Sequence, residues 1–329
     1  MADSLNLFHF FNLFTRNRAI VFMMHRFCKW GERDGSLHPA DILDTSLRYL
    51  SDNNYSVIPL SEYVQKLVHR SRLYKTVVFT VDDGYHDFYD YAYPVFKEHR
   101  MPVAIFLTSD FIDGKLLLWW DQVQHAMAYK EEPELKLDLR SEMSSLSLRN
   151  AYERERAGRA VIEYCKTLAD DRRCALVNKL AMKFNGSSPE YCEDVRPLSW
   201  DQISEMQQNN IEFYAHTKTH PILSRCTEEK IRHEISESKK SIEAKLERPA
   251  NIFSYPNGKF DDLNDAVIAL LKSEGYIAAF TAEEGLDNTG ENIDLFRLRR
   301  YPFSNDICKF KQVVSGLEAL KSALRNNGS

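Results

Sequence analysis

Short apolar runs recur along the chain, at residues 19–24, 55–59, 76–81, 103–108, 211–215, 251–255, 276–281 and 295–299. One of them, Lys75-Thr76-Val77-Val78-Phe79, is β-branched and apolar and reads as a buried strand. Between the runs lie stretches with helical periodicity. Residues 39–53 place Ile42, Leu43, Leu47 and Leu50 on one face, and residues 228–247 do the same with Ile231, Ile235, Ile242 and Leu246. Strands alternating with helices predict an α/β fold with a parallel sheet or a (β/α) barrel.

Two stretches depart from this rhythm. Residues from about 121 to 197 show no strand signal in this reading, carry many charges and read as several helices, 150–166 among them. They are expected to form a helical insertion in a barrel spanning 19–329. Residues 1–18 form an N-terminal amphipathic segment. Within it, 5–14 keep polar residues to a narrow stripe of Asn6, His9 and Asn12, followed by Arg16 and Arg18. Such a segment either caps the open end of the main domain or lies against an anionic membrane surface.

Composition narrows the function classes. A net charge of −5 gives no electrostatic case for nucleic-acid binding. Six cysteines without CxxC spacing read as reduced thiols rather than a disulfide framework. No apolar run is long enough for a transmembrane helix. The N-terminus has neither a basic n-region nor a small-residue cleavage site, so the expectation is a cytoplasmic protein, peripheral to the inner face of the membrane if residues 5–14 bind it.

The chemistry gathers at strand ends. Asp82 and Asp83 follow the run 76–81, and Gly84 breaks the strand there. Two adjacent carboxylates are costly to bury without a cation, because each raises the pKa of the other. His216-Thr217-Lys218-Thr219-His220-Pro221 follows the run 211–215. One carboxylate plus two imidazoles is a ligand set for a catalytic zinc site with an open position. Pro221 disfavours a helix at His220, so a strand-to-loop turn brings the two rings together. His25 ends the first strand and Tyr255 the sixth. In (β/α) barrels the carboxyl ends of strands form the catalytic face.

Thr80-Val81-Asp82-Asp83-Gly84 resembles the TFDDG motif of the polysaccharide deacetylases, the NodB-homology or carbohydrate esterase family 4 enzymes. His216-Thr217-Lys218-Thr219-His220 resembles their H(S/T)xxH motif, and Phe253-Ser254-Tyr255-Pro256-Asn257-Gly258 their third motif. The resemblance covers about 19–125 and 198–300. It implies a distorted (β/α) barrel and a divalent metal, most often Zn2+, held by Asp83, His216 and His220. It implies Asp82 as catalytic base and the Asn257 backbone N–H as an oxyanion donor. The L-x-H motif that commonly supplies the acid is missing near the C-terminus. Phe22-Met23-Met24-His25-Arg26 instead resembles the opening of circularly permuted members, which assigns the acid to His25, facing the site from opposite Asp82. Ser254 stands where many members carry an arginine that orients the base, and Arg297, Arg299 or Arg300 is the candidate replacement.

Tyr85, Tyr255, Pro256, Asn257, Trp119 and Arg300 are the expected substrate contacts. The Trp119-Trp120 pair either stacks on a sugar ring or anchors the insertion by packing. The expected activity is metal-dependent N-deacetylation of an N-acetylated sugar or glycan precursor. The alternatives are a small-molecule amide hydrolase of the same superfamily and a glycan-binding barrel without turnover.

Overall fold

The computed structural model describes residues 15–33, 37–128, 133–139, 142–185, 195–290 and 293–326. The amphipathic segment 5–14 lies outside them. The strands in chain order are β1 (Ala19–Met24), β2 (Phe27–Cys28), β3 (His38–Pro39), β4 (Ser56–Val57), β5 (Thr76–Val81), β6 (Val103–Leu107), β7 (Glu134–Leu139), β8 (Glu142–Ser147), β9 (Ile211–Ala215), β10 (Ile252–Ser254), β11 (Ala278–Phe280) and β12 (Tyr301–Pro302). Eight of them form one parallel sheet in the order β11-β10-β9-β6-β5-β1-β12, with β4 also pairing β5.

The sheet curls into a barrel because one segment meets both of its edges. Leu298 bridges Phe280 of β11, and Tyr301 pairs with Phe22 of β1. The strand expected at 295–299 is therefore displaced. It meets β11 through the Leu295 carbonyl and Leu298 and meets β1 through β12, and the intervening Arg299 and Arg300 span the seam.

Side chains alternate between two cores, as the pleat requires. Val77, Phe79 and Val81 of β5 join a cluster that includes Leu43, Leu47 and Leu50 from the helix Ala40–Asp52. Val78 joins the opposite cluster, with Phe106, Tyr214 and Phe280, and the helix Leu60–Val68 covers that face with Leu60, Tyr63, Val64 and Leu67. The helix Ala40–Asp52 shows how sequence and burial agree. Its three leucines fall at one face and are fully buried, each worth roughly 1.5–3 kcal/mol of transfer free energy.

The insertion is not purely helical. It holds the helices Trp119–Ala128, Ala151–Thr167 and Asp170–Asn185, together with the antiparallel pair β7–β8. The sequence signal for β7 is the alternation Glu134-Leu135-Lys136-Leu137-Asp138-Leu139, a period of two that charge density obscures. Leu135 and Leu137 pack with Val123, Val161 and Leu180 in a small separate core. Among the described residues no helix is long and apolar enough to cross a membrane.

Candidate active site

The parallel sheet delivers Asp82 and Asp83 from the end of β5, His216 from β9, Tyr255 from β10 and His25 from β1 to one end of the barrel. All of them line a cavity of about 450 Å³. Asp83 has φ 74°, and Gly84 follows at φ 92°. The positive φ favours glycine there, and a Cβ would lie 2.7 Å from the Ile112 Cδ1 methyl and 2.9 Å from the Leu107 Cδ2 methyl, which would have to move aside. Thr217, His220 and Asn257 also adopt positive φ. Left-handed non-glycine residues thus gather at this end, where the surrounding packing must hold them.

Asp83 Oδ1 lies 3.6 Å from His216 Nε2 and 3.4 Å from His220 Nε2, and the two Nε2 atoms are 3.2 Å apart. Ligands bonded at about 2.0–2.2 Å in tetrahedral directions stand about 3.4 Å from one another. The triad therefore fits a divalent ion. Asp83 Oδ1 is buried with no hydrogen-bond partner in the protein, as a metal ligand would be. His216 Nδ1–H donates to the Ser254 carbonyl at 2.7 Å, which turns Nε2 towards the site. Burial lowers the pKa of both imidazoles and so favours the neutral, ligating form. Burial raises Asp83, and the adjacent Asp82 raises it further.

Asp82 is held differently. Burial alone would raise its pKa, but the Arg300 guanidinium, together with His216 and His25, outweighs that and holds the carboxyl well below the usual range. Arg300 Nη1 donates to Asp82 Oδ1 and Nη2 to Oδ2, both at 2.8 Å. Its remaining donors reach the Thr281 carbonyl, Thr80 Oγ1 and Ser254 Oγ. All five guanidinium N–H groups are engaged inside the protein, so Arg300 orients Asp82 while bordering the cavity. Arg297 and Arg299 pair elsewhere, with Asp265 and Asp294 and with Asp287.

Other expectations change in detail. His25 Nε2 is 3.9 Å from Asp82 Oδ2, beside the carboxylate and not across from it, because both sit at the ends of neighbouring strands β1 and β5. Its side chain is 46% exposed, into the cavity, yet the enclosing protein lowers its pKa below the usual 6.5 against the pull of Asp82. Pro256 is absent from the cavity lining. It shapes the turn that presents Asn257 there, with its carbonyl accepting from Gly258 N at 2.7 Å. Tyr255 lines the cavity, while its hydroxyl donates to the Phe296 carbonyl at 2.9 Å.

Trp119 is buried in the core of the insertion with Arg173 over its ring, and it also borders the cavity. Trp120 is the indole at the centre, its ring centroid 4.4 Å from that of His220. Trp120 Nε1–H donates to the Tyr85 hydroxyl at 2.9 Å, which donates to Asp121 at 2.5 Å. Arg26 lies 4.1 Å over the Tyr85 ring. Burial pushes Asp121 up to about 6. Sequence reasoning had no role for Arg26 or Asp121. The one signal was position, since Arg26 follows His25 and Asp121 follows the tryptophan pair. Ile162 and Lys166 of the helix Ala151–Thr167 complete the wall, which places the insertion beside the mouth.

Fold and site together define a parallel-stranded barrel in which three buried groups able to hold a metal ion stand beside a clamped carboxylate. A profile described as polysaccharide deacetylase matches residues 69–135 and 166–279, and the unmatched gap falls within the insertion. The chain belongs to the polysaccharide deacetylase family. It is 21% identical over 266 residues to YxkH of Bacillus subtilis, provisionally named a polysaccharide deacetylase, covering 80% of this chain and 66% of that one. In structure it is similar to the Streptococcus pyogenes deacetylase PplD in complex with acetate (TM-score 0.59, 16% identity, 92% of this chain and 97% of that one). It is also similar to IcaB from Ammonifex degensii (TM-score 0.59, 15% identity, 91% and 96%). A de-N-acetylase from Aggregatibacter actinomycetemcomitans is a third neighbour (TM-score 0.55, 17% identity, 89% and 99%). At these identities the likeness concerns the fold.

Proposed function

We propose that the protein is a metal-dependent N-deacetylase that hydrolyses the acetamide of an N-acetylated sugar. One observation carries the reading. Two adjacent aspartates are held in different states: Asp83 offers an unpartnered oxygen to a pair of histidines, and Asp82 is kept ionised by Arg300. A binding barrel has no use for a buried carboxylate prepared as a base beside a ligand set.

Asp83, His216 and His220 would hold the ion, which when bound supplies Lewis acidity towards a water and an acyl oxygen. Asp82 is the base that takes a proton from the attacking water, and the two bonds from Arg300 fix the direction of its lone pairs. The backbone N–H of Asn257 is the donor assigned to the negative charge developing on the acetyl oxygen. The Asn257 side chain is tied to Asp262 at 2.6 Å, which steadies that turn. His25 holds the proton for the leaving amine, since an unprotonated amide anion leaves very poorly. Trp120, Tyr85 and Asp121 form a wall with an aromatic face and polar groups, suited to a pyranose ring and its hydroxyls.

The test is acetate release by the zinc-loaded protein from a panel of nucleotide-linked, lipid-linked and polymeric N-acetyl-sugars. Release from at least one class, abolished by a chelator and by Asp82→Asn, supports the reading. Release only from small non-sugar amides would replace it with the amide-hydrolase alternative, and no release from any of them would overturn it.

A further inference from the structure

The loop that joins the two histidines is braced by an acid outside every motif described above. Glu234 lies on the buried face of the helix Glu228–Leu246, in line with Ile231, Ile235 and Ser238. It is 2% exposed. Its Oε2 accepts from the backbone N–H of Lys218 at 2.9 Å and of Thr219 at 2.7 Å, and Oε1 accepts from the Thr219 hydroxyl at 2.6 Å. An ionised carboxylate is acceptor-only, and here it meets donors alone.

The rest of the loop is satisfied from other directions. The carbonyls of Thr217 and Lys218 accept from Ser109 N and Asp110 N at 3.2 and 3.0 Å. Thr217 Oγ1 accepts from His220 N at 3.0 Å and donates to the His216 carbonyl at 2.5 Å. Without Glu234, two inward N–H groups between the ligands would lose their acceptor, because the backbone of Ser109 and Asp110 meets the loop with N–H donors and the Asp110 carboxylate faces the Lys218 ammonium, 3.6 Å away. The loop also carries left-handed backbone at Thr217 and His220, which persists only where neighbours enforce it.

We infer that Glu234 is a positioning residue of the metal centre, setting the separation of His216 and His220 through the backbone between them. The inference rests on the metal-dependent reading above. It concerns ion affinity and not the identity of the substrate. Outer partners of metal ligands typically change affinity by about 10–100-fold. Glu234→Gln keeps size and packing but turns an amide NH2 towards a donor.

The experiment titrates the metal-free full chain with zinc against a chromophoric chelator, for wild type, Glu234→Gln and Thr219→Val. A thermal scan of each metal-free protein serves as a folding control. Glu234→Gln is expected to weaken zinc binding by about 10–100-fold. Thr219→Val, which removes one of the three bonds, is expected to weaken it by a smaller, roughly 3- to 10-fold factor. With cobalt in place of zinc, the visible absorption bands should shift in Glu234→Gln, a change that lost stability alone does not produce. At saturating zinc, kcat should fall with KM unchanged. Wild-type affinity and an unchanged cobalt spectrum in Glu234→Gln would overturn the inference and leave the deacetylase reading standing. If Glu234→Gln does not fold, Thr219→Val decides, and equal affinity there overturns it. A wild-type chain that binds no divalent ion overturns both.

Discussion

Arg300 and Asp82 form a buried two-point ion pair, with both bonds at 2.8 Å and the guanidinium fully enclosed. The two residues are 218 positions apart. Ser254 sits between them, accepting from Arg300 at 2.9 Å and donating to Asp82 at 3.3 Å. A serine at that position leaves room for an arginine that arrives from the closing seam of the barrel.

Arg300→Lys should therefore impair catalysis by disorienting the base. A lysine ammonium is a point charge and does not reproduce the two-point bond. Arg300 holds the folded-state pKa of Asp82 below its unfolded value. The pair thus stabilises the fold above the unfolded aspartate pKa, and that contribution is lost as pH falls through the folded pKa. Weakening the pair raises the Asp82 pKa. The acid limb of the kcat/KM profile should move to higher pH, with turnover down roughly 10- to 100-fold. Arg300→Met leaves the carboxylate buried and unpaired, at about 3–5 kcal/mol of stability read by denaturant unfolding. An unmoved acid limb in Arg300→Lys would show that Asp82 is not the titrating base.

Asp82 and Asp83 should separate cleanly by mutation. Zinc is expected to raise the wild-type thermal midpoint, by the equivalent of about 2.7 kcal/mol at a hundredfold excess over Kd. Asp83→Asn should abolish that shift. Asp82→Asn should keep it and lose about 10²- to 10⁴-fold in turnover. Loss of both metal and activity in Asp82→Asn would reverse the two assignments.

His25→Ala should bind zinc like the wild type and turn over more slowly by about 10²-fold or more. If His25 is the acid, the enzyme loses activity as pH rises through the His25 pKa, because the proton for the amine is gone. That alkaline limb should disappear in the variant. An unchanged profile would assign the proton to another group in the cavity.

Asp121 provides a stability test that does not depend on turnover. Burial raises its folded pKa from 3.8 to about 6. A raised carboxyl contributes stability that is fully present below the unfolded pKa and lost as pH rises through the folded one. Asp121→Asn keeps an acceptor for Tyr85 without the charge. Relative to wild type it should gain stability between about pH 4 and pH 6, by no more than roughly 3 kcal/mol. A difference in thermal midpoint that is flat across this range would mean that Asp121 is ionised throughout.

The local sequence by itself determined the site's parts. Strand runs ending in Asp82-Asp83, His216 and Tyr255 placed these residues at one end of a parallel sheet, because every parallel strand carries its C-terminal residue to the same face. The grouping of Asp83, His216 and His220 was legible for the same reason, since each sits at or just past a strand end. What joins residues across the barrel was decided by tertiary structure alone. Nothing in the run 295–301 separates Arg300 from Arg299, and only closure of the sheet between Leu298 and Tyr301 turns one guanidinium inward to Asp82 and leaves the other with Asp287. The same holds for the adjacent strands that bring His25 beside Asp82, and for the insertion packing that buries Trp119 and leaves Trp120 against His220. Periodicity reports which face of an element is buried, because burial follows hydrophobicity within one element. It does not report which buried polar group meets which, because that depends on the relative placement of elements distant in sequence.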